Sequence, residues 1–218
     1  MLGRRGKLVA IEGIDQAGKR TQANLLAAQI RKTGKHVSVW SFPDYSTPLG
    51  KQLRAYLDGK LRLDMQAVHL LYAANKWEVA PEILHSLGRG DVVIVNRYSP
   101  SNIAYGVAHG LPNSWLVSIE EGLPRPDRVV VLDIPLGVSV GRKRKRRDVH
   151  EGNLPYLRRV RMEYRHLAKR FAWQIIDGTQ SPERVQREVW LSVASLLRSR
   201  ADLFRLRASW LPPRSLYM

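Results

Sequence analysis

Between an apolar run, Leu8-Val9-Ala10-Ile11, and a stretch of helical character lies Gly13-Ile14-Asp15-Gln16-Ala17-Gly18-Lys19. Few short patterns restrict a fold so strongly. Glycines at 13 and 18 let the backbone approach phosphate oxygens closely, successive N–H groups point inward, and Lys19 reaches the outer phosphates. A helix beginning near Gly18 adds its positive end to the same anion. The pattern requires a strand, a tight loop and a helix in that order, and it binds a triphosphate. Its candidate binding residues are Gly13, Ile14, Asp15, Gln16, Ala17, Gly18, Lys19, Arg20 and Thr21. One position departs from the pattern. The hydroxyl expected directly after the lysine is Arg20, and the first threonine is Thr21.

The rest of the chain repeats the strand and helix alternation. Short β-branched runs occur at Leu8–Ile11, His36–Trp40, Val92–Val95, Arg128–Leu132 and Trp173–Ile176. Helical stretches are expected at about 18–34, 48–58, 64–88, 98–109, 112–121, 135–147, 152–171 and 181–200. Strands this apolar are expected to be covered by helices on both faces, as parallel strands are. The fold class read from this is α/β, a doubly wound sheet of five parallel strands flanked by helices. A single domain over 1–200 accounts for the pattern. The remainder, 201–218, carries Leu203, Phe204, Trp210 and Leu211 among arginines, and is expected to pack on the body or on a partner.

Composition narrows the function. The chain has no cysteine, so disulfides and thiolate metal sites are excluded, and its six histidines show no ligand spacing. A structural metal is not expected. No apolar run approaches a membrane span and no secretory signal precedes the first strand, so a cytoplasmic location is expected. The formal net charge of +17 suits phosphate substrates and equally permits nucleic-acid binding.

Three further constellations carry chemistry. Asn96-Arg97-Tyr98-Ser99-Pro100-Ser101-Asn102 follows the third strand, and ligands of open α/β sheets sit beyond strand carboxyl ends. Arg97 is therefore expected in the same cleft as the phosphate loop. Ser99 suits a helix N-cap with Pro100 as the first helical residue, and Ser101, Asn102 and Tyr105 then share a face. In the helix over 64–88, Tyr72 and Lys76 share a face and offer a ring and a donor, as a flat base requires. Taken alone, an aromatic at helical spacing more often reads as packing. Leu70, Leu71, Ala74 and Trp77 are expected in the core. The loop Phe42-Pro43-Asp44-Tyr45-Ser46-Thr47-Pro48 follows the second strand and is a clamp or an ordinary turn. Arg142-Lys143-Arg144-Lys145-Arg146-Arg147 is six consecutive cations, which on a helix face every side. By itself such a run reads as solvated or attracted to nucleic acid.

In this order and spacing, these motifs resemble thymidylate kinase, a member of the nucleoside monophosphate kinase group of P-loop kinases. The resemblance rests on residues 12–19, 42–47, 70–78, 96–102 and Tyr105. It implies transfer of the ATP γ-phosphoryl to dTMP with Mg²⁺, in a homodimer, with neither membrane nor nucleic acid as main partner. Lys19 and the loop amides would hold ATP. Asp15 would lie near the sugar hydroxyl and orient Arg97, while Tyr72 would stack on thymine. Lys76 stands where the family usually has an arginine contacting a thymine carbonyl. Tyr105, with Asn102, would favour deoxyribose; Phe42 would line the base pocket and Ser101 the same cleft. Tyr45 stands where some relatives have an arginine near the monophosphate. The basic run becomes a lid at about 141–153. With Gln16 in the loop, the chain resembles the type that carries its catalytic arginines in the lid. The implied catalytic set is Lys19, Asp15, Arg97, Arg142, Arg144 and Arg146.

Two residues depart from the family pattern, both at the metal. Arg20 replaces the usual Ser/Thr hydroxyl, and Asn96 replaces an Asp before Arg97, so Mg²⁺ is expected to be held mainly by phosphates and water. Competing readings are a deoxynucleoside kinase with Glu12 as base, a UMP or CMP kinase, a nucleic-acid-binding ATPase and an impaired paralogue.

Overall fold

The structure is a computed structural model describing residues 5–142 and 153–197. The elements follow in chain order as β1 (Lys7–Glu12), α1 (Lys19–Arg31), β2 (Val37–Ser41), α2 (Pro48–Leu57), α3 (Met65–Gly88), β3 (Val92–Asn96), α4 (Ser99–Ala108), α5 (Asn113–Ile119), β4 (Arg128–Asp133), α6 (Leu136–Arg142), α7 (Leu154–Phe171), β5 (Gln174–Asp177) and α8 (Pro182–Ala194). A single 3₁₀ turn, Ser195–Leu197, ends the described chain. The five strands pair in parallel in the order β2-β3-β1-β4-β5. With β1 central, the loops after β1, β3 and β4 emerge side by side, which is where a doubly wound sheet places its ligands.

The three inner strands are buried almost throughout: Leu8 to Ile11, Val92 to Val95 and Val130 to Leu132 are essentially inaccessible. The two edge strands are not. All of β2 is partly or fully exposed, and β5 buries only Ile176, because an edge strand has a neighbour on one side only. Among the described elements, coverage on both faces therefore holds for β1, β3 and β4 alone. On one side α1 packs Ala23, Leu26, Ala27 and Ile30 into the core, its apolar positions recurring at helical spacing.

Helix α3 corrects two core assignments. Leu70 and Trp77 are 47% and 44% exposed, as is Leu84 at 52%. Its buried face is instead built from Val68, His69, Ala73, Asn75, Lys76, Val79, Ala80 and Ile83. Polar groups occupy that face because they are satisfied there: Asn75 Oδ1 accepts from the Asp44 N–H at 2.8 Å. Its amide donates to Thr47 Oγ1 (2.8 Å), Glu78 Oε2 (3.0 Å) and Asp44 O (3.1 Å). Glu78 in turn accepts from Thr47 Oγ1 and the Leu49 N–H. This side-chain knot ties the loop after β2 to α3.

Candidate active site

The phosphate loop is shaped by its glycines. Gly13 has φ +133°, and a Cβ there would stand 2.4 Å from the Leu132 carbonyl of β4, so no other residue fits. Gln16 also adopts a left-handed conformation, φ 62°, at the tip of the loop. Such strain in a non-glycine residue concentrates at functional sites. Gly18 precedes α1 with no side-chain cap, which leaves the first-turn N–H groups of the helix to an anion. Lys19 is 7% exposed and donates to the Ile14 carbonyl at 2.7 Å. Burial, reinforced by the nearby Arg97 cation and opposed by Asp15 and Glu12, brings the Lys19 ammonium down to about 7. Ala17 is buried, whereas Arg20 and Thr21 are both exposed. The loop is braced from outside by Ser139, whose hydroxyl donates to the Asp15 carbonyl at 2.8 Å. Arg142 donates to the carbonyls of Gln16 (3.2 Å) and Gly178 (3.0 Å). Arg144 and Arg146, with the remainder of the expected lid, lie outside the described residues, as does the 201–218 tail.

Arg97 arrives from the end of β3 with φ 62°, its N–H donating to Ile11 O at 3.1 Å. That conformation turns its guanidinium toward the loop, where Nη2 donates to Asp15 Oδ1 at 2.5 Å. Tyr105 donates to the other oxygen of Asp15 at 3.2 Å, and the Arg97 guanidinium stands 5.1 Å from the centre of the Tyr105 ring. Burial alone would raise Asp15. The Arg97 and Lys19 cations outweigh it and hold the carboxyl down at about 2. Arg97 itself is pushed upward, because Asp15 and the two tyrosines overcome its desolvation. Asp15 and Arg97 thus remain an ion pair at any physiological pH, with the neutral Tyr105 hydroxyl donating to it.

An open cleft lies beside this ion pair. It is lined by Asp15, Phe42, Pro43, Tyr45, Leu57, Tyr72, Lys76, Arg97, Tyr98, Ser101, Asn102 and Tyr105. Every residue expected on the acceptor side is therefore here, from five separate segments. Their states differ from what spacing suggested. Lys76 is buried, donating to the Tyr72 carbonyl (2.9 Å) and to Glu120 Oε1 (2.7 Å). Asn102 donates to Glu120 Oε1 (2.5 Å) and to the His69 carbonyl, while its oxygen bonds to His69 Nδ1 at 2.6 Å. Tyr45 is partly exposed, with the Arg54 guanidinium 5.4 Å from its ring centre.

Ser101 does not turn to the cleft alone. Its hydroxyl donates to Glu12 Oε2 at 2.5 Å and shares a hydrogen bond with the Tyr164 hydroxyl at 2.7 Å. Glu12 also accepts from the Tyr98 N–H (2.8 Å) and Tyr164 OH (3.0 Å). Burial raises Glu12 despite these donors and the Arg97 charge. This arrangement also corrects the start of α4. The helix begins at Ser99 with Tyr98 at the cap position, and Ser99 makes no capping bond. The Glu12 carboxylate takes the Tyr98 N–H instead, a cap supplied from a neighbouring strand.

Sequence reasoning missed Pro43, Leu57, Tyr98, Asn75, Tyr164 and Glu120. Glu120 is 7% exposed at the C-terminal end of α5 and is separated by 44 residues from its ion-pair partner. A buried carboxylate of this kind has no local signature. The basic residue facing it could have been paired with it only through the fold.

The family model described as thymidylate kinase matches residues 11–189, more than half of the chain. The chain belongs to the thymidylate kinase family. It is 31% identical over 205 residues to the Homo sapiens thymidylate kinase, covering 93% of this chain and 96% of that protein. It is 32% identical over 189 residues to the Danio rerio thymidylate kinase, covering 85% and 89%. A probable thymidylate kinase of Pyrococcus abyssi is 37% identical over 195 residues, covering 85% of this chain and 94% of that protein. The solved structure of the Candida albicans thymidylate kinase superposes with a TM-score of 0.78 at 30% identity, over 88% of this chain and 92% of that one.

Among the described residues no group of three or more His, Asp or Glu converges on one point. Asp15 is engaged by Arg97 and Tyr105, and Glu12 by its donors. At the end of β3, the Asn96 amide donates to Ser41 Oγ at 3.3 Å, and its buried Oδ1 has no partner. One neutral acceptor fits a hydrated ion whose waters it can receive, not direct ligation by protein oxygens.

Proposed function

We propose that this chain catalyses transfer of the ATP γ-phosphoryl to dTMP, giving dTDP. The observation that carries this reading is convergence. The phosphate loop with Lys19 and the aromatic cleft with Tyr72 and Lys76 meet at the Asp15–Arg97 ion pair and the Tyr105 hydroxyl bonded to it. A monophosphate in the cleft is already an anionic nucleophile, so the reaction calls on positioning and charge neutralisation rather than on a general base. Lys19 and the N-terminal amides of α1 draw the triphosphate into place. Arg97, fixed by Asp15, neutralises the acceptor phosphate as charge develops on the transferring group. The Tyr105 ring beside the sugar position disfavours a 2′-hydroxyl, and Phe42 and Tyr72 sandwich the base. Mg²⁺, when bound with ATP, would supply neutralisation of the phosphate charge, and of the described protein groups Asn96 Oδ1 would be the one to receive a water of its hydration shell. Arg142 already touches the loop and would act with Arg144 and Arg146, the further arginines that the family resemblance assigns to the lid.

The nucleoside-kinase alternative needs a base for a 5′-hydroxyl. Glu12, its candidate, is wholly buried behind Ser101 and Tyr164 and committed to three donors, which disfavours that chemistry. A coupled ADP-release assay over dTMP, dUMP, dCMP, UMP, CMP and thymidine tests the reading, with Arg97→Ala as control. Turnover of dTMP well above the others, lost in the variant, is the expected result. Preference for thymidine or for a ribonucleotide would replace it.

The working unit is a homodimer joined through α3. Leu70, Trp77 and Leu84 recur every seven residues and so form one exposed apolar stripe, with Val117 of α5, 45% exposed, as a further apolar position. A stripe of this length on an otherwise basic protein fits a second copy of itself related by a two-fold axis. No described helix is long and apolar enough to cross a membrane.

A further inference from the structure

Three helices meet behind the base end of the cleft, and a carboxylate that does not line it stands at their junction. Glu120, at the C-terminal cap of α5, accepts from Lys76 of α3 and from Asn102 of α4. The side chains of Lys76 and Glu120 are 3% and 4% exposed. As a device for stability the arrangement is poor. A carboxylate at a helix C-terminus opposes the helix dipole. A buried ion pair is commonly no better than apolar residues of the same volume. Its second oxygen, Oε2, is buried without a hydrogen-bond partner, which adds a desolvation cost. Each of these costs falls at the one place where the cleft must read a base.

We infer that Glu120 is the positioning residue that makes the cleft select a pyrimidine bearing a carbonyl, rather than an amino group, at the edge facing Lys76. Lysine has three N–H donors and no acceptor. Two of them are taken up, by Glu120 and the Tyr72 carbonyl, and this holds the side chain in a single direction. The third donor is left for a ligand oxygen. An exocyclic amino group set against it places donor against donor, with no acceptor to resolve the conflict. Glu120 also takes the Asn102 amide, so that Asn102 cannot rotate its oxygen toward an amino-bearing base without breaking its bonds to both Glu120 and His69. One carboxylate thereby locks the hydrogen-bond polarity of two lining residues. Removing its charge weakens the shared acceptor that holds Lys76 and Asn102, so neither side chain keeps a single direction toward the base.

This inference rests on the dTMP kinase reading. Its test measures kcat and KM separately for dTMP and dCMP with wild type, Glu120→Gln, and the double variant Lys76→Met/Glu120→Leu, each with a melting curve. In Glu120→Gln the dTMP KM is expected to rise at least about tenfold with kcat little changed. That is the pattern of lost uniform binding. The preference for dTMP over dCMP in kcat/KM falls at least about tenfold with it. The double variant, which buries no charge, is expected to melt at or above wild type and to lose the same selectivity, so an unfolded single variant does not spare the idea. Wild-type KM and selectivity in Glu120→Gln overturn it, as does their retention in the double variant, which would make the pair merely structural. A wild-type protein that does not turn over dTMP overturns the functional reading itself, and this inference with it.

Discussion

The Lys19 ammonium gives the most quantitative handle on the nucleotide site. In the nucleotide-free protein it titrates near 7, because burial and the Arg97 cation outweigh the two carboxylates beside it. Bound phosphates supply several negative charges at that position and restore the ammonium, so binding above pH 7 must take up a proton. At pH 8 about nine-tenths of the free protein carries the neutral amine, and affinity for ATP should fall by up to about tenfold per pH unit, about 1.4 kcal/mol. The outer phosphate is already ionised in this range, so it does not contribute to the slope. The sign for folding is opposite. Between about 7 and 10.5 the unfolded chain keeps the proton that the native protein has released, so the nucleotide-free protein gains stability as pH rises. Isothermal titration from pH 7 to 9.5, in buffers of differing ionisation enthalpy, reads both the slope and the proton. Close to one proton should enter per ATP at pH 8.5, and Lys19→Met should abolish the uptake along with most of the affinity. Flat affinity between pH 8 and 9.5, with heats independent of buffer, would refute the reasoning.

Three further outcomes follow from the geometry. Asn75→Ala strips the loop after β2 of its tie to α3 and leaves the Asp44 N–H without its acceptor; chemical denaturation should show a loss of about 2–4 kcal/mol, and the dTMP KM should rise as Phe42 and Tyr45 loosen. Trp77→Glu places a charge in the middle of the exposed α3 stripe; if α3 joins a homodimer as proposed, sedimentation should give a dimer for wild type and monomers for the variant, with the melting temperature of the isolated chain little altered. Arg20→Thr restores the hydroxyl usual after the loop lysine; the Mg²⁺ concentration for half-maximal rate should drop, whereas an unchanged requirement would show that Arg20 takes no part in compensating a weakly ligated ion.

Much of the molecule was legible before folding. The glycine-bounded loop after an apolar run set the strand, turn and helix at the N-terminus, and β-branched runs spaced by helical stretches set five strands, all of them parallel. These features are local. A β-branched run prefers a pleat, a glycine is needed where φ is positive, and an apolar period marks a helix face, whatever the rest of the chain does. The residues expected at the cleft were legible for a related reason: they stand at strand ends or on one helix face, positions that local geometry assigns.

What local pattern could not decide was which groups face one another. Helix α3 reads as core at Leu70 and Trp77, yet the fold turns that side outward and buries Asn75 and Lys76, because partners for those two exist only after the loop at 44–47 and the end of α5 have been brought against them. Glu12 reads as a possible base and becomes a buried cap for α4 once Ser101 and Tyr164 close over it. Local pattern alone was enough for the sheet, the phosphate loop and most of the polar residues lining the cleft, but not for Pro43, Leu57 and Tyr98. Charge partners came only with folding, since desolvation and pairing depend on neighbours such as Glu12 and Tyr164, 152 residues apart along the chain.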